Sequence, residues 1–444
     1  MKLKQQPTAS LLTCAGCGWT APAPEEVPYP FRCPKAGRGD TDHVVTRKLD
    51  SFKVEFSRGD DPNPFIRHRE LLHAWHLARR RGLSDDAFVA LVRELDVAIA
   101  RVEGRTGGFR ATPFGRHAAL DQRLGLDVWV KDETGNVSGS HKALHLMAIL
   151  LYLQVVERRE RPPLATLSCG NAALAAAVLA RAAERPLTVF VPPDAESAIL
   201  ERLQKFGAHV ITCPREPGVT GDPCLRRFRD AVAGGSLPFS VQGTENGMAI
   251  EGGETLGNEM IAALGGAELD HIVLQVGGGA LASSVIQALR LAHRAGWLTQ
   301  LPRFHTVQTT GAYPLQRAWD RLQEQVRTLG EIDAVERATK HRSEFMWPWE
   351  ETPRSIARGI LDDETYDWLA IVKGMLASQG VPVVVDDAML EAANALARET
   401  TGCNVDHTGS AGLAGLLRLQ RDGVVQPGER VAVIFSGAPP SPAG

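Results

Sequence analysis

The chain has 444 residues, 44% of them hydrophobic and 23% charged, with a formal net charge of −3. That length accommodates two domains and an extension, and the composition is that of an ordinary soluble globular protein. The charge balance gives no support to nucleic acid or an anionic membrane as a partner, and no apolar run reaches spanning length. The opening Met1-Lys2-Leu3-Lys4-Gln5-Gln6 lacks the apolar core of a signal peptide. Seven scattered cysteines, an odd number, do not read as a disulfide framework, so a cytoplasmic location is expected.

Residues 1–48 differ from the rest. Cys14-Ala15-Gly16-Cys17-Gly18-Trp19 is a Cys-x-x-Cys knuckle with glycines suited to a tight turn, and Cys33-Pro34 follows. Thiolates paired on a turn suit a tetrahedral zinc ion, so Cys14, Cys17 and Cys33 are candidate ligands. No second cysteine stands near Cys33; Asp40, Asp42 or His43 could complete the shell, and the alternative is a small cap without metal. Residues 62–104 read as helical, with Ser84 as an N-cap and His68, His73 and His76 as surface or packing residues. Ala118–Leu124 reads as another helix, and the alternating Leu126–Val130 as a short strand.

The loop Lys131-Asp132-Glu133-Thr134-Gly135-Asn136-Val137-Ser138-Gly139-Ser140-His141-Lys142 comes next, and then a run of helix formers from Ala143 to Val155. Lys142 therefore falls where loop becomes helix. There it meets the positive end of the helix dipole and unsatisfied backbone N–H groups. That setting disfavours the ammonium and favours a neutral amine able to attack a carbonyl carbon. The plainer alternative is a solvated lysine at a helix start.

From Pro163 to Ser283 strands and helices alternate: Leu164–Leu167, helix Ala172–Ala183, Leu187–Val191, helix Glu196–Phe206, Gly207–Thr212, helix Glu254–Leu264 after the Gly252-Gly253 pair, His271–Val276 and helix Ala282–Ala295. Arg303–Gln308 is a further strand. Residues 318–365 are less patterned, with Glu344–Trp349 read as a surface loop or lid. Helices at Asp387–Thr400 and Gly409–Arg421 and the strand Val431–Phe435 close the chain. Such alternation predicts an α/β fold with two open parallel-sheet domains and a small Cys-containing N-terminal extension. The expected division is 1–48 for the extension, 49–145 plus 250–444 for a large cofactor-binding domain, and 146–249 for a smaller mobile substrate domain.

Four features sit at or just after predicted strand ends, where open α/β sheets bind ligands. They are Lys142, the loop Ser168-Cys169-Gly170-Asn171, the turn Val276-Gly277-Gly278-Gly279-Ala280, and Ser436. Glycines between strand and helix let backbone N–H groups wrap a phosphate. The turn does not match Gly-x-Gly-x-x-Gly, so a single phosphate suits it better than a dinucleotide. Ser168 and Asn171 bring a hydroxyl, an amide and backbone donors to a helix start, suited to a carboxylate or a phenol-like oxygen. An ordinary N-cap and a tight turn are the alternatives for these two loops.

In this order the motifs resemble the fold-type II pyridoxal-5′-phosphate enzymes, which include serine/threonine dehydratases, threonine synthases and tryptophan synthase β, over residues 108–440. Ser138-Gly139-Ser140-His141-Lys142 resembles the motif bearing the Schiff-base lysine. Ser168-Cys169-Gly170-Asn171 resembles the Ser-Ser-Gly-Asn loop. This implies that Asn171 bonds the cofactor's 3′-oxygen while Ser140, Ser168, Cys169 and Gly170 help to hold the substrate carboxylate. The run Gly277, Gly278, Gly279, Ala280, Leu281 resembles the phosphate loop, and Ser436 matches the residue facing the pyridine nitrogen. His141 could contact the phosphate, assist proton transfer or simply pack. Weaker echoes are Glu251-Gly252-Gly253-Glu254-Thr255 and His407-Thr408-Gly409-Ser410-Ala411-Gly412. The cysteine knuckle is similar to that of some threonine synthases, but His141 and Ala143-Leu144 replace the Phe and Asp-Arg that flank their lysine. The His-Lys pair resembles tryptophan synthase β, whose acidic substrate loop is replaced here by Ser168–Asn171.

The resemblance implies that Lys142 carries the cofactor and then takes the Cα proton. A serine at the ring nitrogen supplies no negative charge and makes the ring a weaker electron sink, which disfavours transamination and favours loss of a β-substituent. The expected reaction is β-elimination or β-replacement on a small amino acid, of serine/threonine ammonia-lyase type. The alternatives are a threonine-synthase-like γ-replacement on a phosphorylated amino acid and, from another class, a non-catalytic ligand-sensing relative. Family habit implies a homodimer.

Overall fold

The structure, a computed structural model, describes residues 9–51, 53–57, 59–157, 161–215 and 221–439. The stretch Met1–Gln6 read above lies outside them. In chain order the strands are β1 (Ser10–Cys14), β2 (Val45–Leu49), β3 (Phe114–Arg116), β4 (Asp127–Asp132), β5 (Leu164–Leu167), β6 (Leu187–Val191), β7 (His209–Thr212), β8 (Leu237–Pro238), β9 (His271–Gln275), β10 (Arg303–Thr309), β11 (Pro382–Val385) and β12 (Arg430–Phe435). They form a β1–β2 antiparallel pair, a six-stranded sheet in the order β11-β10-β9-β12-β4-β3, and a four-stranded sheet in the order β7-β6-β5-β8. All pairings in the two larger sheets are parallel except β3 with β4. The strands β5 and β9 are buried at every position, as near-continuous apolar runs in a covered parallel sheet must be.

Register brings the strand ends together. Val433 on β12 lies opposite Val273 on β9, and Phe435 lies opposite Asp132 on β4. The chain therefore leaves β4, β9 and β12 at one level, and the lysine loop, the glycine turn and Ser436 start there. Behind them the helix Lys142–Val156 is buried at every residue except Lys142 and Gln154. A helix apolar all round belongs in a protein interior, and this one packs against the helices Asn171–Ala182 and Met248–Leu264.

Two expectations are corrected. The helix expected from Glu254 begins at Met248 and runs straight through Gly252-Gly253. A Cβ on Gly252 would lie 2.2 Å from the Leu144 carbonyl oxygen, and one on Gly253 2.2 Å from the His145 ring. The pair is there for close approach of two helices, not for a break. Residues 318–365, read as less patterned, contain most of the helix Pro314–Leu329 and all of Glu331–Lys340. Phe345 and Met346 of the expected surface loop are buried, and the Phe345 ring stacks on Trp368 at 5.8 Å. His68 and His73 are also buried, and His73 Nδ1 meets Ser10 Oγ at 2.9 Å, in keeping with packing roles.

A buried ion network ties β4 to the Met248–Leu264 helix. The fully buried Lys131 ammonium donates to Glu259 and to the Thr112 carbonyl (2.8 Å), with Glu133 at 3.6 Å. Removing one member leaves an uncompensated buried charge. Lys131→Met is therefore expected to cost about 3–5 kcal/mol of unfolding free energy, read from urea denaturation.

Candidate active site

Lys142 is placed by a turn that few sequences could make. Ser138 and Gly139 both adopt left-handed φ (57° and 75°), which glycine accepts readily and serine only at a cost. Glu103 fixes the strained residue by accepting from Ser138 N at 2.7 Å. The chain then pairs Ser140 with Gly437, and His141 N donates to the Ser436 carbonyl at 3.1 Å. His141 Nδ1 lies 3.0 Å from the same carbonyl, which can only accept, so the proton is on Nδ1. His141 Nε2 is then a buried lone pair without a partner. His145 repeats the pattern, with Nδ1 donating to the Ala249 carbonyl at 2.8 Å and Nε2 unpartnered. Burial and the neighbouring Lys142 hold both imidazoles neutral, His145 down to about 3 and His141 well below the usual range. Burial also lowers Lys142 toward the neutral amine, opposed by the charge of Asp362.

The glycine turn lies between β9 and the helix Ala280–Arg294, with Gly279 at φ 98° as the helix cap. The segment 358–367 covers it closely. A Cβ on Gly277 would lie 2.4 Å from Asp362 Oδ2, one on Gly278 2.8 Å from the Tyr366 ring, and one on Gly279 2.9 Å from Thr365 Cγ2. Gly278 N donates to Asp362 Oδ2 at 2.6 Å, Thr365 Oγ1 to the Gly277 carbonyl at 3.0 Å, and Asp367 N to the Gly278 carbonyl at 3.2 Å. The cradle thus already receives an anionic oxygen. Burial pushes the Asp362 carboxyl up to about 6, against the lowering pull of Lys142 and the Gly278 amide.

Ser436 directly follows β12, where its Oγ accepts from Gln275 Nε2 at 2.8 Å. The same amide nitrogen faces the Gly409 and Ile434 carbonyls, each at 3.0 Å, which fixes the orientation of the side chain. Asn171 begins its helix directly after Gly170, and a Cβ on Gly437 would lie 2.9 Å from Asn171 Nδ2. In the same loop Ser168 Oγ accepts from Gly170 N at 3.2 Å, and Cys169 is exposed.

Lys142 and Gly278 flank one carboxylate, Lys142 adjoins the His141–Ser436 contact, and Ser140, Gly437 and Asn171 meet beside it. Ala280 and Leu281 are buried in the apolar core at the head of their helix. Cys14, Cys17 and Cys33 come together with His43 in the β1–β2 unit. Sequence reasoning missed Gln275, although a polar residue ending an otherwise apolar strand beside three glycines was a usable signal. It also missed Asp362 and Tyr366, which no periodicity marks.

Two open parallel sheets whose strand-end loops meet at a half-buried lysine and a glycine turn define an α/β enzyme with its site outside the carboxyl ends of the strands. The sequence profile of the pyridoxal-phosphate dependent enzymes matches residues 105–437, and the chain belongs to that family, in its fold-type II group. It is 25% identical over 335 residues to cysteate synthase of Methanospirillum hungatei, covering 72% of each chain. It is 26% identical over 331 residues to threonine synthase of Mycobacterium tuberculosis, covering 73% of this chain and 80% of that one. A serine dehydratase-like protein of Mus musculus is 29% identical over 224 residues, covering 50% and 64%. The fold is that of maize serine racemase, with a TM-score of 0.58, 18% identity and coverage of 78% and 93%. Among the described residues no helix is long and apolar enough to cross a membrane.

Asp367, which seals the glycine turn, is buried and accepts from Gly243 N at 3.3 Å; burial pushes its carboxyl up to about 8. In the unfolded chain it ionises from an ordinary 3.8. Between those values the unfolded state has lost a proton the fold retains, so this residue's contribution falls as pH rises from about 4 to about 8. Asp367→Asn is therefore expected to raise the melting temperature relative to the parent increasingly over that range, as thermal scans at several pH values would show.

Proposed function

We propose that this enzyme catalyses β-elimination or β-replacement on a small amino acid, with a serine/threonine ammonia-lyase as the leading form. Lys142 is assigned as the residue that holds pyridoxal phosphate, Gly277–Gly279 with Ala280 and Leu281 as its phosphate loop, and Asn171 and Ser436 as the groups at its 3′-oxygen and ring nitrogen. Ser140, Ser168, Cys169 and Gly170 would take the substrate carboxylate with Asn171. The cradle fits such a cofactor: the Gly278 amide donates to an anionic carboxylate oxygen of Asp362, as it would to a phosphate oxygen. When bound, pyridoxal phosphate supplies an electron sink that acidifies the substrate Cα–H.

The observation that carries the reaction class is the Gln275–Ser436 hydrogen bond. Gln275 donates to the Ser436 oxygen, so the hydroxyl proton is free to be given to an acceptor at the strand end. Ser436 would hold a ring nitrogen as a neutral donor without adding charge, and pyridoxal phosphate held so would supply the weaker electron sink that suits loss of a β-substituent. Lys142, kept toward the neutral amine by burial, can take the Cα proton on Nζ and return it.

Coverage by relatives favours one second reading. The threonine synthase match spans 73% of this chain and the dehydratase-like match 50%, which supports γ-replacement on a phosphorylated amino acid. Incubating the cofactor-loaded enzyme with serine, threonine and O-phosphohomoserine separates the two. Keto acid from serine or threonine is expected, and phosphate from the last substrate alone would overturn the leading form. Lys142→Ala should abolish turnover and the borohydride-sensitive absorbance while leaving the fold intact.

Asp362 and a cofactor phosphate compete for the Gly278 amide. Because the carboxyl ionises at about 6, the competition is strongest above that pH. Asp362→Asn is expected to bind pyridoxal phosphate about tenfold more tightly than the parent at about pH 8, with the advantage largely gone at about pH 5, as read by absorbance titration.

A further inference from the structure

Three thiols and an imidazole converge in the N-terminal unit. Cys14 ends β1, Cys17 follows on a turn closed by Gly18 at φ 71°, Cys33 lies in the connecting loop, and His43 precedes β2. Their ligand atoms all lie within 4.8 Å of one another. Cys14 Sγ is 3.4 Å from His43 Nδ1, and Cys17 Sγ is 3.7 Å from Cys33 Sγ. Zinc bond lengths of about 2.3 Å to sulfur and about 2.0 Å to nitrogen give tetrahedral edges of about 3.8 Å and about 3.5 Å. The two spacings given match such edges, and the other pairs lie within 4.8 Å. Three soft thiolates with one imidazole select zinc over hard cations.

The loop that carries His43 does more than supply a ligand. Asp42 N donates to the Thr339 carbonyl at 2.8 Å, and Asp42 Oδ1 accepts from Arg342 Nε at 3.1 Å. Asp40 accepts from Ser343 N at 2.9 Å and from Ser343 Oγ at 2.7 Å. Arg342 in turn binds Glu364, two residues beyond the carboxylate in the glycine cradle. The knuckle is pressed against the same loop: a Cβ on Gly16 would lie 1.9 Å from the Asp42 carbonyl oxygen.

We propose that Cys14, Cys17, Cys33 and His43 bind one zinc ion tetrahedrally, and that through Asp42 and Arg342 this ion fastens the segment 358–367 over the glycine turn. On binding, the three thiols release their protons to solvent and the imidazole binds as the neutral base. Without the ion Cys33 and His43 lose their link to the knuckle, and the Asp42–Arg342–Glu364 chain loses one restraint at its N-terminal end.

The test uses the full chain purified under reducing conditions with zinc supplied. Elemental analysis is expected to find about one zinc per chain in the parent and less than about one-fifth of that in Cys17→Ser and His43→Ala. Cobalt exchanged into the parent should show thiolate charge-transfer bands and the intense visible bands of a tetrahedral site. Hydrogen exchange over 342–367 should speed up at least about tenfold on metal removal, and equally in Arg342→Ala, which should retain its zinc. A parent chain without stoichiometric metal, or a cobalt form without thiolate bands, overturns the site. Unchanged exchange over 342–367 in the metal-free chain overturns the fastening. None of these readouts depends on pyridoxal phosphate, so their failure leaves the proposed reaction untouched.

Discussion

The structure depends on the burial of the helix Lys142–Val156 on all sides. Because no face is left to solvent, the helix has one position in which every side chain finds a packed neighbour, and its first residue inherits that position. Gly252 and Gly253 make this possible by letting the Met248–Leu264 helix approach the Leu144 carbonyl and the His145 ring. Lys142, on the first turn of this buried helix, is held where the strand ends of β4, β9 and β12 converge. The same burial also pushes the amine toward the neutral form.

Polar groups at the site follow from the same constraint. The His141 backbone and ring both hold the Ser436 carbonyl, so the lysine loop and the end of β12 move as one piece. Gln275 does the equivalent between β9, β12 and Gly409 with a single side-chain amide. These buried bonds are costly to leave unmade, which is why they specify one geometry. Beside these bonds, His141 Nε2, His145 Nε2, Ser138 Oγ and Gln275 Oε1 are buried without a partner.

The parts legible in the sequence were those governed by local rules. Strand-to-helix junctions announce themselves through apolar runs followed by glycine, serine and asparagine, and so the lysine loop, Ser168–Asn171, the glycine turn and Ser436 were all found. Where a residue's meaning lies in a distant neighbour, local rules fail. Gly252-Gly253 looked like a helix break because the approaching helix is about a hundred residues away in the chain. Asp362 fell in the stretch 318–365 that showed little pattern, although its carboxylate lies against the Gly278 amide. The fourth position beside the three cysteines stayed open among Asp40, Asp42 and His43 because sequence spacing could not separate them. Tertiary contacts do: Asp40 is taken by Ser343 and Asp42 by Arg342, and only His43 faces the thiols.

The glycine turn shows how one property can serve two tasks. Three residues without side chains expose backbone N–H groups, as an anion requires, and they also let the 358–367 segment lie within van der Waals reach. Any side chain at Gly277 or Gly278 would strike Asp362 or Tyr366. The cover is therefore a reason for the glycines in its own right. A carboxylate that already satisfies the Gly278 amide keeps the cradle from standing as an unpaired buried donor. That makes Asp362 part of what stabilises the closed arrangement, and it ties the position of the 358–367 segment to whatever else competes for the same amide.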